Sequence, residues 1–481
     1  MSFFARGVKG FLHINQYQAD VDDYNTSRQV GKPAHEVREH VTAKMYKDLV
    51  SDKLALGGKP FYTQFTDEQL DVIKAHGKNP QTIDLLRDPI IPLSEVKIIN
   101  WNTADAAPLR VSETVKALKL LRQIKADSNK IPMSALLQES LELLEIEVRS
   151  SKFRDLVEWC RKNTKEFGFA GWKFDPDNKA YVDFPNQGLL DSERPHEHDD
   201  PEMNKREDLH PKKPADLQAF SWAAKMHAAD VYDEFDPEYA KVLREEAKDQ
   251  KKRFNKSESE GGYLMRDPVT RLVIPAEAID GRGRQIKIPM SGGSFSAFGG
   301  DYNGNHIIDE EHRDDLVDFT MNPTMFDPHN GMRTYANTLS DKNLDRVSYQ
   351  KSPNNYWPIL TSGAAIGIGK WGYNTEKEEL LDAMLEGTYS FAQLPTNHPD
   401  FAQAIENYNV KDGRREMFRN PNGQTSGRDQ SWSSAAIMYA STWMLWNRHG
   451  TLPGIEDIKK ENPSSTFDWF PLAQEAAVVY I

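Results

Sequence analysis

Apolar residues return with helical spacing through most of this chain. Leu109, Val111, Val115, Leu118, Leu120 and Leu121 are one clear case, because residues three or four apart share one face of a helix. The pattern repeats over 132–165 and over 215–253, where Pro237 is expected to break it, since proline has no N–H to donate. It returns in ILTSGAAIGIGKWG, TEKEELLDAMLEGTYSFAQL, PDFAQAIENY and QSWSSAAIMYASTWMLWNRHG, giving about eleven predicted helices. One passage departs from it: YLMRDPVTRLVIPAEAIDGRGRQIKIPMSGGSFSAFGG is β-prone and glycine-rich, so a loop and short-strand insertion is expected over 255–330. Long loops rich in Trp, Tyr, Asn, Gly and Asp join the helices, and long loops in a compact chain usually carry function. Paired helices with functional loops at one end suggest an all-α toroid with short β insertions. It is read as one domain over 1–481, with partial N-terminal helices and loops over 1–95.

Charge and composition exclude several classes. A net charge of −13 argues against nucleic acid, whose phosphates need a basic face. Cys160 is the one cysteine, so no internal disulfide can form, and in VEWCRKN it reads as a small buried hydrophobe. No apolar run is long enough for a signal peptide or a membrane span, so a cytoplasmic protein without a membrane partner is expected. A Rossmann glycine pattern, a P-loop, a G-x-S-x-G elbow and paired C-x-x-C are all missing, and no cofactor is expected.

Metal motifs fail in detail. GKPAHEVREH has the His35–Glu36 start of a zincin but not the second histidine at the required spacing. His196, His198, Asp199 and Asp200 lie in a polar, Pro-bounded stretch that reads as a solvated loop. DYNGNHIIDEEH is similar to an EF-hand loop, with Asp301, Asn303, Asn305 and Asp309 at ligand positions. There His306 replaces the turn glycine and His312 the bidentate glutamate. No metal site is expected.

Two carboxylates stand out. Asp191, in YVDFPNQGLLDS, follows Leu189 and Leu190. Apolar neighbours desolvate a carboxyl and keep it protonated, which suits a general acid; a helix N-cap is the plain alternative. Glu416, in DGRREMFRNPNGQTSGRDQSW, has Arg414, Arg415 and Arg419 close by in sequence, which would hold it ionised; a surface glutamate in a basic patch is the alternative. Cleaving a glycosidic bond takes two such groups across a cleft. Aromatics in polar surroundings (WKFD, NNYWP, DQSWS) suit stacking on sugar rings, which makes Trp172, Tyr356, Trp357 and Trp432 candidate walls; each also fits an ordinary core position.

Several blocks, taken in order, resemble the amylo-α-1,6-glucosidase-like six-hairpin glycosidases and the related glucosylglycerate and mannosylglycerate hydrolases. They are GKPAHEVR, NTADAAPL, VDFPNQGLLDS, PADLQAFSWAA, NGMRT, YQKSPNNYWP, REMF and QSWSSAA, spanning roughly 31–440. The resemblance implies an (α/α)6 toroid and a glycoside hydrolase acting on an α-linked glucoside or short α-oligosaccharide. It implies inversion, with Asp191 as general acid and Glu416 as general base. His35, Glu36, Asp105, Gln187 and Arg333 would then contact sugar hydroxyls.

The chain also departs from that pattern. Leu189–Leu190 stand where the family has Trp-Lys, and Ile359–Leu360 where it has His-Asp. The family's first barrel helix, its Arg-Asp loop and its N-terminal β-domain have no counterpart in the sequence. A catalytically inactive carbohydrate-binding toroid or an N-terminally truncated glycosidase is therefore the second expectation. A homo-oligomer or partner chain would complete the barrel. A phosphorylase or lyase on the same toroid is a third.

Overall fold

A computed structural model describes residues 106–126, 135–167, 213–337, 354–392 and 405–418. It also describes 169, 174–175, 180–181, 394, 426, 433, 436–437, 439–440 and 443. This part of the protein is largely helical, with small sheets of short strands. It falls into two compact units, one holding residues 116–155 and the other residues 106–115 and those from 156 on.

Helix α1 (Ala106–Ala126) follows the predicted apolar positions, all of them buried. The 132–165 run, expected to be continuous, is two helices, α2 (Ala135–Val148) and α3 (Ser151–Phe167). Ser150 explains the break. Its hydroxyl accepts from the Phe153 N–H at 3.1 Å and donates to the Glu147 carbonyl at 2.6 Å, capping one helix while closing the other. In the first unit Arg122 ties α1 to α2 through a bidentate pair with Glu145.

The 215–253 run breaks at the expected proline, into α4 (Ala215–Tyr232) and α5 (Pro237–Phe254). Pro237 takes the first helical position, where no N–H is needed, and the Asp236 carboxylate accepts from the Tyr239 N–H. The two helices form an antiparallel hairpin. Arg244 reaches Asp230 and Asp233 at one end, and Gln250 reaches the Gln218 carbonyl at the other. Lys225 is wholly buried between them. Its ammonium donates to Thr164 Oγ1 on α3 at 3.1 Å and to Gln250 Oε1 at 2.9 Å, and burial pulls it down to about 8. Cys160 is buried nearby, as the sequence suggests, and burial pushes its thiol up to about 12.

Strands β1 (Phe174–Asp175) and β2 (Ala180–Tyr181) form one short pair. In the expected β-prone passage, β6 (Ala278–Ile279) pairs with β7 (Gln285–Ile286) and, on its other side, with β3 (Lys213–Pro214), which lies outside the passage, just before α4. Strands β4 (Leu264–Arg266) and β5 (Val273–Pro275) form a hairpin. Aspartates staple the turns here: Asp267, Asp280 and Asp301 each accept from backbone N–H groups two to four residues ahead. In the EF-hand-like loop this uses up the Asp301 carboxylate, which also takes the Asn305 side chain. Among the described residues no group of His, Cys, Asp or Glu could hold a metal ion.

After the short helix α6 (Ser291–Phe295) and α7 (Arg313–Met321) comes a second helical hairpin, α8 (Pro358–Lys370) and α9 (Asn374–Ala392). Helix α8 is rich in small residues because neighbours press against it. A Cβ at Gly363 would sit 2.0 Å from the Phe295 ring, and one at Gly367 would sit 2.3 Å from the Ala297 carbonyl. Ile359 and Leu360 are buried in its first turn. Among the described residues no helix is long and apolar enough to cross a membrane.

One expectation is corrected in part. PDFAQAIENY reads as a helix; 399–404 lie outside the described residues, but 405–407 are not helical and Tyr408 begins strand β11 (Tyr408–Lys411), which turns back into β12 (Arg414–Met417). The turn residues Asp412 and Gly413 both have positive φ, at 51° and 73°. That is the Asp-Gly chemistry of a two-residue hairpin, and it outweighs a weak apolar period.

Candidate functional site

The β11–β12 hairpin extends a sheet begun by β10 (Asn355–Tyr356), in the order β10-β11-β12. Beside it lies a smaller hairpin, β8 (Phe326–Asp327) and β9 (Gly331–Met332). Arg333 bridges directly to Tyr356, and the Thr334 N–H donates to the Asn355 carbonyl at 2.9 Å. These contacts gather segments some eighty residues apart in sequence.

Asp327 is the centre of one face. Its Oδ1 accepts from the His329 N–H and from Asn330 Nδ2, each at 2.9 Å. Its Oδ2 accepts from Arg333 Nη2 at 2.9 Å and from the Tyr356 hydroxyl at 3.0 Å. Arg333 also donates to the Tyr356 oxygen and lies over that ring. Burial alone would raise the Asp327 carboxyl, but the His329 N–H, Asn330, Tyr356 and Arg333 outweigh it and hold it below the usual carboxylate range. Burial pushes the Tyr356 hydroxyl up, so it stays a donor.

The Asp327 turn is clamped from below. Arg415 donates to Asn330 Oδ1 at 2.6 Å and to the His329 carbonyl at 2.7 Å. Glu386 on α9 meets both Arg415 and His329. The Tyr408 hydroxyl donates to the Asn330 carbonyl at 2.9 Å. Tyr356, Tyr408 and Met417 pack with Phe391 and Ile405 as the apolar side of the sheet.

Strand alternation puts a different set on the other face. The register aligns Asn355, Asn409 and Glu416 in one row across the three strands. Asn355 Nδ2 donates to Asn407 Oδ1 at 2.9 Å and to Asn409 Oδ1 at 3.2 Å. Glu416 stands exposed at the outer end of that row.

Four of the sequence-predicted site residues are described, and the structure brings them to this one sheet. Arg333 is engaged inside the Asp327 network. Tyr356 and Trp357 are buried, at 1% and 3% exposure, so their rings pack inside the protein. Glu416 shares its face with Arg414, while Arg415, expected beside it, turns to the opposite face and holds the Asp327 turn. His35, Glu36, Asp105, Trp172, Gln187, Asp191, Leu189, Leu190 and Trp432 lie outside the described residues, as do Arg419 and the 196–200 loop.

Sequence reasoning missed Asp327, Asn330, Asn355, Glu386, Asn407 and Asn409. Two signals were available. DPHNG has the Asp-Pro…Gly signature of a tight turn, and NVKDGRREM has an Asp-Gly turn between extended runs. No family model matches the chain, and no curated protein matches it.

Proposed function

We propose that the chain is a glycoside hydrolase of the (α/α)6 type, acting on an α-linked glucoside or short α-oligosaccharide. One observation supports the reading. Arg333, Tyr356, Trp357 and Glu416 were picked from separate sequence blocks, and all four sit on one small sheet and the segment bridged to it. The helical hairpins α4/α5 and α8/α9 are in keeping with a toroid of paired helices.

In this mechanism Asp191 protonates the leaving oxygen and Glu416 draws a proton from the attacking water on the opposite face. Exposure of Glu416 leaves its oxygens open to that water. Inversion needs the two carboxyl groups about 6.5–9.5 Å apart, leaving room for water between them. The Asp327–Arg333–Tyr356 network keeps the sheet that carries Glu416 rigid. The reading includes a carbohydrate substrate, no nucleic acid and a cytoplasmic setting.

The test is hydrolysis of a panel of α-glucosides by the wild type, Asp191→Asn and Glu416→Gln, with the product anomer followed by NMR. Turnover with inversion, lost in both variants, is the expected result; equal activity in all three refutes the mechanism. A carbohydrate-binding protein without turnover is the second reading. The observation that favours it is Ile359–Leu360, buried apolar residues of α8 where the resembled family has His-Asp. Sugar binding with no hydrolysis of any panel member would select it.

A further inference from the structure

The face of the sheet that carries Glu416 holds more polar groups than the described residues satisfy. Asn355, Asn409 and Glu416 form one row. Trp357 is extended and falls on the same side as Asn355, two residues earlier. Asn407 falls on the same side as Asn409, and the Phe418 N–H donates to its carbonyl, continuing the ladder. Trp357, Asn407 and Phe418 thus make a second row behind the first. Asn355 Oδ1, Asn407 Nδ2 and Trp357 Nε1 are buried and have no hydrogen-bond partner among the described residues. Ser426, whose N–H donates to the Phe418 carbonyl, adds a fourth such atom in its hydroxyl. Buried polar groups are nearly always paired, so several orphans on one sheet face mark a place where a polar ligand completes the bonding.

Exposure and amide orientation give the face a direction. Asn355 and Asn407 are fully buried, Asn409 is half-buried, and Glu416, Arg414 and Lys411 are exposed. The orphaned atoms therefore lie at the closed end and the carboxylate at the open end. Asn355 donates to Asn409 Oδ1, which fixes which way that amide is turned. Its Nδ2 then faces away from Asn355, and Glu416 is the neighbour in the row. A donor and an acceptor stand side by side.

We propose that this face is a hydroxyl-recognition subsite for a sugar ring. Asn409 donates to one hydroxyl and Glu416 accepts from its neighbour, while Asn355 and Asn407 hold Asn409 in place and offer the next acceptor and donor. The proposal rests on the reading of Glu416 as a substrate-facing carboxylate. The pairing selects the ligand class. A vicinal diol both donates and accepts at adjacent oxygens and can use both partners. A phosphate accepts only and is repelled by Glu416, and a lone cation leaves the Asn409 N–H groups without an acceptor.

The test uses the full chain and binding of methyl α-glucoside and its monodeoxy analogues by saturation-transfer NMR and calorimetry. The wild type should bind the parent sugar and bind one deoxy analogue about tenfold more weakly, the worth of one good hydrogen bond. Asn409→Ala, and Asn409→Ser as a check on folding, should bind the parent about tenfold more weakly and no longer distinguish that analogue. Glu416→Gln keeps an acceptor and should retain binding. Identical discrimination in the wild type and both Asn409 variants overturns the subsite, as does failure of the wild type to bind methyl α-glucoside, mannoside or galactoside. The hydrolase reading fails separately: the expected binding pattern without hydrolysis leaves the subsite standing and removes turnover. Glu416-dependent hydrolysis with unchanged discrimination in Asn409→Ala does the reverse.

Discussion

Replacing Asp327 by Asn should loosen the sheet that carries Glu416. The substitution keeps an oxygen for the His329 N–H and Asn330, but it sets an NH2 group against two donors, Arg333 Nη2 and the Tyr356 hydroxyl. One ion pair and one charge-assisted hydrogen bond are lost, and a repulsive contact replaces them. Breaking a fully buried pair costs about 3–5 kcal/mol. Here the Asp327 side chain is 20% and the Arg333 side chain 12% exposed, so solvent recovers part of that and about 2–4 kcal/mol is expected. Urea unfolding followed by intrinsic fluorescence should show the midpoint falling with an unchanged slope. A double-mutant cycle with Arg333→Met should give a coupling of at least about 1 kcal/mol. The folded carboxyl is held below its ordinary value. Its stabilisation is therefore complete above the unfolded value, near pH 4, and is lost as the pH falls through the lower folded value. Asp327→Asn should remove that acid-side slope. A midpoint change worth under about 0.5 kcal/mol, or a coupling near zero, would refute the reasoning.

Lys225 gives a slope at the other end of the pH scale. Its folded value, about 8, lies below the unfolded value near 10.4, so folding favours the neutral amine. Its penalty is fully present below pH 8 and is relieved as pH rises toward 10.4, with a gain of at most about 3 kcal/mol. Denaturation of Lys225→Met across that range should lack the gain shown by the wild type. Gly367→Ala pushes a methyl against the Ala297 carbonyl and should destabilise by about 1–3 kcal/mol in a denaturant melt. Gly413→Ala meets open space but keeps a φ of +73°; it should cost about 1 kcal/mol in the same assay.

Proline and periodicity made much of the helical frame legible. The 215–253 run breaks at Pro237, and the predicted ILTSGAAIGIGKWG helix is present, beginning one residue earlier at Pro358. The Ser150 break was not legible, because a serine hydroxyl caps only when the backbone around it has already turned. The β11–β12 hairpin was legible at Asp412–Gly413 but was masked by the apolar spacing of the residues before it. In the candidate site, Arg333, Tyr356, Trp357 and Glu416 could be named from sequence blocks, but the partners that fix them could not. Asp327 reads as a turn residue, and nothing local says that its second oxygen will take Arg333 and Tyr356. Arg415 and Glu416 show the limit most plainly. Side by side in sequence they look like a charge and its counter-ion, yet a strand turns neighbours to opposite faces.

The sequence by itself determined the largely helical character, the short-strand passage, the buried fate of Cys160 and the tight turns at Asp-Pro and Asp-Gly. Each depends on residue type and on spacing within one segment. Only the tertiary structure decided which carboxylate is consumed by its own turn, as at Asp301, which is locked into a network, as at Asp327, and which is left open, as at Glu416. Only it placed the amides of Asn355, Asn407 and Asn409 on one face. Those outcomes depend on pairing between segments distant in sequence, and strand register, which sets the face each side chain occupies, is fixed only when the strands meet.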